Sequence, residues 1–317
     1  MKYLSNVSGN DIYWRKAEKV MKVVDDINVP DGLVPIFIQP QHGRFSTREI
    51  LLGSRGDSYY GECILSCNDR LHLLIYSEYL IKQYLQTSEP VYLEMWEEAL
   101  VGIQKHLIIP TKYAKFSMVA KPPGGIWGPL SPKTDHLVCF LSGSIALGAT
   151  DGLTEAEARR LPSWNAEKVR QMQLARELTK TCWGMYKVTD TGIAPEIAWF
   201  RAADESLQSR KDMPLAPLAR SSNSEVVWKK DYNMNPLDAH NLQRPETVES
   251  LFLMWRITKD PIYREWGWEI FQAFLEHSTL PLGEGFSSLN NVNAIPPLRR
   301  DSIESFWLVS ELLSLHQ

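Results

Sequence analysis

LQRPETVESLFLMW, residues 242–255, sets a proline, two acids and an unbroken apolar run within about four helical turns. Pro245 suits the first position of a helix, where its missing N–H leaves no bond unmade. Glu246 then falls in the first turn and Glu249 three residues on, so the two carboxylates share a face. Negative charge at that end complements the helix macrodipole, and taken alone either acid needs no further role. The same discount applies to Glu196 in GIAPEI, to Glu304 in DSIESFW, and to Asp57 or Ser58 as a helix cap in GSRGDSYY. His136 in SPKTDHLVCFL, read by itself, is a half-buried histidine with satisfied hydrogen bonds.

Apolar residues recur at helical spacing over about 11–27, 79–86, 91–107, 166–188, 246–258, 262–277 and 301–313. Connectors rich in proline and glycine, such as AKPPGGIWGPLSP and HSTLPLGEGFSSLNN, separate them and leave room only for short extended segments. The pattern predicts an all-α chain with long loops, folded as helical hairpins in one domain over residues 1–317. Hairpins of this kind bury their faces only against neighbours.

Of the 317 residues, 44% are hydrophobic and 23% charged, enough for a sizeable core. A net charge of −4 gives no basic surplus for a nucleic-acid backbone. Neither the first residues nor any later segment reads as a signal peptide or membrane span, so taken literally the chain is cytosolic. Four cysteines make neither a dense disulfide framework nor a paired zinc motif. Eleven tryptophans suit sugar stacking as well as helix packing, and packing is the commoner use.

Residues 61–77 interrupt a helix. Without them the chain reads GDSYYEYLIKQYLQT, and Tyr60, Leu80, Ile81, Tyr84 and Leu85 share one face. Kept as helix, the interruption rotates Tyr60 off that face by about 100°. Codons for Gly61-Glu62-Cys63 can contain the donor-type signal GTGAGT, and those for Ser77-Glu78 an acceptor CAG, with the frame preserved on removal. A retained intron is the expectation; a genuine loop insertion is the alternative.

Taken in order, GSRGDSYY with EYLIKQYLQT, GPLSPKTDHLVCFLSGSIALGA, GIAPEI, QRPETVESLF with YREWGWEIFQAF, GFSSLNNV and DSIESFW resemble the class I α-1,2-mannosidases, glycoside hydrolase family 47, endoplasmic-reticulum type. The resemblance covers nearly the whole chain outside 61–77 and some variation around 208–224. It implies an (α/α)7 barrel, here incomplete, with a calcium ion at its floor. It also implies inverting removal of α-1,2-linked mannose from high-mannose N-glycans in the endoplasmic reticulum, by a protein anchored in the membrane in its full-length form.

By the same resemblance Glu246 is the general base and Asp57 a second catalytic carboxylate acting through water. Arg55, His136, Arg244, Glu196, Glu249 and Glu304 become substrate-site residues. Glu196, Glu249 and Glu304 reach calcium through water, and no direct calcium ligand is expected. Inverting hydrolysis needs one group to protonate the leaving oxygen and another to activate water on the opposite face. Clustered carboxylates around a hard cation serve that chemistry.

The resemblance also pairs Cys139 with Cys182, closing a loop worth about 4 kcal/mol by chain entropy and calling for an oxidising compartment. The family's first hairpins, with a Phe-Glu segment carrying its general acid, and its C-terminal Thr-Glu-Ala-His-Pro segment with the calcium-binding threonine, have no counterpart in these residues. Weak calcium binding and poor turnover are therefore expected. The alternatives to an active mannosidase are an inactive fragment and a non-catalytic, glycan-binding mannosidase-like protein of glycoprotein quality control.

Overall fold

Apolar residues on α5 (Pro90–His106) fall at positions 92, 95, 96, 99, 100 and 103, and all six side chains are buried. That spacing is one continuous helical stripe, so the helix can only be stable with this face covered. A computed structural model describes residues 1–60, 80–204, 206, 224–283, 285–304 and 306–307. The interruption at 61–77, the variable stretch 208–223 and most of the helix expected over 301–313 lie outside the described residues.

The covering is done by hairpins. α1 (Lys2–Ser8) packs on α2 (Ile12–Asp25), and α4 (Leu80–Thr87) on α5. α6 (Phe140–Thr150) packs on α8 (Ala166–Lys187), and α9 (Glu246–Thr258) on α10 (Ile262–His277). Two single turns, α3 (Asp57–Tyr60) and α7 (Glu155–Ala158), complete the described α-helices. Local chemistry marks several starts: Asn165 accepts from the N–H groups of Glu167 and Lys168 at 2.9 and 3.0 Å, and Thr154 forms a capping box with Glu157.

The helix at the centre is one that periodicity does not predict. All eleven residues of α6 are buried, against α8 on one side and α9 on another, with α4 also in contact. A helix apolar all round has no stripe to detect. Close approach is possible because its contact points are small. A methyl on Gly143 would stand 2.7 Å from Leu253 Cδ1, and one on Gly148 2.7 Å from Trp96 Nε1. The expectation that no segment approaches a membrane span needs correcting here. The stretch His136–Ala158 has the length and mean hydropathy, 1.4, to pass such a test, but 78% of its most apolar window is inside the protein. It passes because a core helix and a membrane helix face equally apolar surroundings.

Further corrections are local. α1 is a separate helix ahead of the expected 11–27 block; Asp57 is the first residue of α3 rather than its cap; and Pro245 precedes α9, whose first residue is Glu246.

Short antiparallel pieces fill the loops, as expected. β1 (Ile38–Gln39) pairs with β2 (Arg44–Phe45), and β3 (Ile108–Pro110) with β4 (Ser117–Val119). β5 (Lys133–Asp135), β6 (Ile197–Phe200) and β7 (Tyr232–Asn233) form one three-stranded sheet in that order. The register sets Asp135 opposite Ile197, so the residues just beyond, His136 and Glu196, emerge side by side.

A disulfide joins Cys139, at the entrance to α6, to Cys182 on α8, with Cα atoms 5.8 Å apart. Ser250 of α9 ties into the same corner, donating to Cys139 O at 2.6 Å and accepting from Gly143 N–H at 3.0 Å. The bridge closes a loop of 43 residues. Its loss in the double variant Cys139→Ala/Cys182→Ala is expected to cost about 4 kcal/mol in urea unfolding. An unchanged midpoint would show that the bridge contributes nothing.

Candidate active site

Three chain segments meet where α9 begins, and backbone bonds fix them there. His136 N–H donates to Glu196 O at 2.9 Å, Glu196 N–H donates to His240 O at 2.8 Å, and the connector 240–245 then runs into α9. The meeting point follows from the β5–β6 register, which carries each strand's next side chain toward the same helix end.

His136 is the hub. Its Nδ1 lies 3.0 Å from Glu246 Oε2, and its Nε2 lies 2.8 Å from Tyr186 Oη and 3.1 Å from Thr247 Oγ1. Both His136 and Glu246 are 1% exposed. Burial raises the Glu246 carboxyl to about 8, only partly opposed by the Arg244 guanidinium. Burial likewise lowers His136 to about 4, opposed by Glu196. Burial thus favours the uncharged form of both groups, in which the carboxylic acid donates to Nδ1 and the Nε2–H is left to donate to a hydroxyl oxygen of Tyr186 or Thr247.

Glu196 is clasped from the connector. Leu242 N–H donates to its Oε1 at 2.9 Å, and Arg244 Nε donates to Oε2. The Arg244 guanidinium also lies over the Phe306 ring, 5.4 Å from its centre. One turn into α9, Glu249 forms an ion pair with Lys82 of α4 at 2.9 Å, both side chains at most 2% exposed. That pair spans 167 residues of sequence. The second Glu249 oxygen, Oε2, is buried without a protein partner.

The other expected residues stand differently. Asp57 is buried, and its N–H donates to Gly53 O at 2.8 Å. Gly53 in turn packs on Asp135 and Val138, since a methyl there would meet Asp135 Oδ2 at 3.2 Å and Val138 Cγ2 at 3.1 Å. The turn carrying Asp57 thus leans on the segment carrying His136. Arg55 is exposed, with its guanidinium over Phe37 at 5.0 Å and a left-handed φ of 74°. Glu304 is half-buried, accepts from Trp307 N–H through its carbonyl, and bonds none of the other acids among the described residues.

Lys82, Tyr186, Thr247 and Gln243 belong to this neighbourhood and were not singled out from the sequence. A lysine inside EYLIKQYLQT reads as a solvated helix position, and a tyrosine near the end of α8 reads as core. Neither carries a local signal that a residue 50 or more positions away will need its polar atom.

The chain matches the model for glycosyl hydrolase family 47 over residues 1–313. It is 42% identical to the mannosyl-oligosaccharide 1,2-alpha-mannosidase of Candida albicans over 326 residues, which covers 100% of this chain and 51% of that protein. It is 37% identical to the endoplasmic reticulum mannosyl-oligosaccharide 1,2-alpha-mannosidase of Saccharomyces cerevisiae, over 99% of this chain and 54% of that one. The chain thus spans about half the length of the curated relatives it matches. Among solved structures, alpha-1,2-mannosidase from Trichoderma reesei superposes with a TM-score of 0.73 at 22% identity, over 99% of this chain and 57% of that one. The fold is that of the α/α barrel mannosidases.

Two outcomes test this electrostatic arrangement. Lys82→Met strands a buried carboxylate and is expected to cost about 3–5 kcal/mol in urea unfolding, most of it recovered in Lys82→Met/Glu249→Leu. Equal losses in single and double variants would show that the pair is not the cause. The second outcome concerns pH. The raised Glu246 carboxyl favours the folded state below its ordinary 4.5, and that contribution is lost as pH rises through about 8. The lowered His136 acts oppositely, its contribution lost as pH falls from 6.5 toward 4. Between about pH 7.5 and 8, where a histidine of the unfolded chain has also lost most of its proton, Glu246 is the one of the two that differs in proton occupancy, so stability should fall with rising pH by roughly 1 kcal/mol per unit. Glu246→Gln should flatten that slope, measured in chelator; an equally steep slope in the variant would assign it to another group.

Proposed function

The chain belongs to glycosyl hydrolase family 47, and on that basis we propose that it hydrolyses α-1,2-linked mannose from high-mannose N-glycans, with inversion at the anomeric carbon. The observation that carries this reading is the buried Glu246–His136 contact beside the Arg244–Glu196 clasp, a tunable carboxyl group next to fixed hydrogen-bonding groups. The relatives named as endoplasmic reticulum mannosidases and the Cys139–Cys182 bridge both support a place in the early secretory pathway.

In this mechanism Glu246 is the base. A water oxygen attacks the anomeric carbon from the face opposite the glycosidic bond, and Glu246 takes the proton that the water gives up. The carbon–oxygen bond to the leaving sugar breaks with its electron pair going to that oxygen, which gains a proton through water from Asp57. His136 orients the Glu246 carboxyl. Tyr186 and Thr247 fix the imidazole in turn, since each occupies the Nε2 side of the ring. Arg244 and Glu196 position sugar hydroxyls, one as donor and one as acceptor. Arg55, exposed near Asp57, contacts the rest of the oligosaccharide.

Calcium belongs to the proposal through the donor chemistry. Among the described residues no three acidic, histidine or cysteine side chains converge as a metal cage. The unpartnered Oε2 of Glu249 is a hard oxygen suited to a cation's water shell. Glu196, Glu249 and Glu304 would hold the ion through water, and the ion when bound would align sugar hydroxyls and the attacking water.

One observation favours a second reading, glycan binding without turnover. With its carboxyl raised to about 8, Glu246 is mostly protonated at neutral pH in the ligand-free protein and is not then a base.

Proton NMR of α-1,2-mannobiose with the protein, with and without calcium, separates the two. Hydrolysis releases β-mannose first, is lost in chelator, and falls by a factor of about 10²–10⁴ in Glu246→Gln. Tight binding of the disaccharide with no product, in parent and variant alike, would replace the mannosidase by a glycan-binding protein.

A further inference from the structure

A buried polar side-chain atom without a hydrogen-bond partner is uncommon in a folded protein, and Gln243 has two. Its side chain is 0% exposed, and neither Oε1 nor Nε2 meets a protein partner. The backbone carrying it is left-handed, with φ 62°, a region that favours glycine and asparagine over glutamine. That conformation is held by Asn241, whose Oδ1 accepts from Gln243 N–H at 2.8 Å and whose Nδ2 donates to Ala194 O at 2.8 Å.

The placement is informative because both sequence neighbours engage one carboxylate. Leu242 N–H and Arg244 Nε donate to the two oxygens of Glu196, so Gln243 lies between the two donors of the clasp and three residues ahead of Glu246. Asn241 also bridges Leu289, which brings the segment bearing Ser288 alongside. Ser288 Oγ is buried and unpartnered too. Backbone strain and unmet polar groups thus coincide on two touching segments at the entrance to α9.

The geometry points to Gln243 as a sugar-contacting residue, its amide donating to one hydroxyl and accepting from another on a mannose bound beside Glu246; this rests on the mannosidase reading above. Each sugar hydroxyl both donates and accepts, so a neighbouring pair satisfies the two ends of a primary amide at once. A site whose buried polar atoms are completed by the ligand also rejects analogues lacking those hydroxyls.

Gln243→Met keeps the length of the side chain and removes both polar atoms. The ligand-free variant is expected to melt at the parent's temperature or above, because the unmet amide is gone. Its affinity for α-1,2-mannobiose, by titration calorimetry, is expected to fall about tenfold, as for loss of a neutral hydrogen bond. A lower melting temperature with unchanged sugar affinity would make the amide a structural group and overturn the inference. Binding by the parent that Gln243→Met matches defeats this contact alone, whereas a parent that does not bind mannobiose defeats the mannosidase reading and the contact with it. A second readout does not depend on the variant's folding. In parent protein carrying 15N-glutamine, the side-chain NH₂ resonance of Gln243 should shift on saturation with mannobiose, and an unmoved resonance overturns the inference.

Discussion

Helix α6 has no side facing water, and that one constraint arranges its neighbours. Eleven consecutive buried residues bond their backbones to one another but must find apolar or small contacts in every direction. Gly143 lets α9 approach so closely that a methyl would meet Leu253 and Ser250, and Gly148 does the same toward Trp96 of α5 and Ile81 of α4. α8 is bound to the start of α6 by the disulfide. Four helices are thereby drawn to one axis, and the first turn of α9 is carried into the protein with them.

Burial of that first turn is what turns ordinary helix-start acids into a site. On a surface helix Glu246 and Glu249 would be solvated and would do no more than complement the macrodipole. Here neither has water to turn to. Glu249 is matched by Lys82, Glu196 by Arg244, and Glu246 by holding its proton and facing His136. The three carboxyl groups are handled in different ways within a few residues of one another.

Helices with one covered face were legible in the sequence. α5, α8 and α10 stand within a residue or two of where their apolar spacing placed them, because burial on one side and solvent on the other leave a period in the residue order, and α9 stands where expected although its first nine residues are all buried. α6 left no period, since its surroundings are apolar on every side. At the site, the motif resemblance pointed to Asp57, Arg55, His136, Glu196, Arg244, Glu246, Glu249 and Glu304; the structure joins His136 to Glu246 and Glu196 to Arg244, and pairs Glu249 with Lys82 instead. Lys82, Tyr186, Thr247 and Gln243 were not legible. Their roles depend on partners brought near by helix packing, and no local residue pattern encodes a contact between α4 and α9.

Sequence alone determined the helical class, the family resemblance and the set of acids, because these are written in residue order: periodicity along each helix and short motifs in a fixed succession. Tertiary structure decided which of those acids are buried, which are held, and which residues hold them. The physical reason is solvation. A carboxyl group's state depends on how much water and which partners surround it, and both are set only when α6 has gathered α4, α8 and α9 around itself.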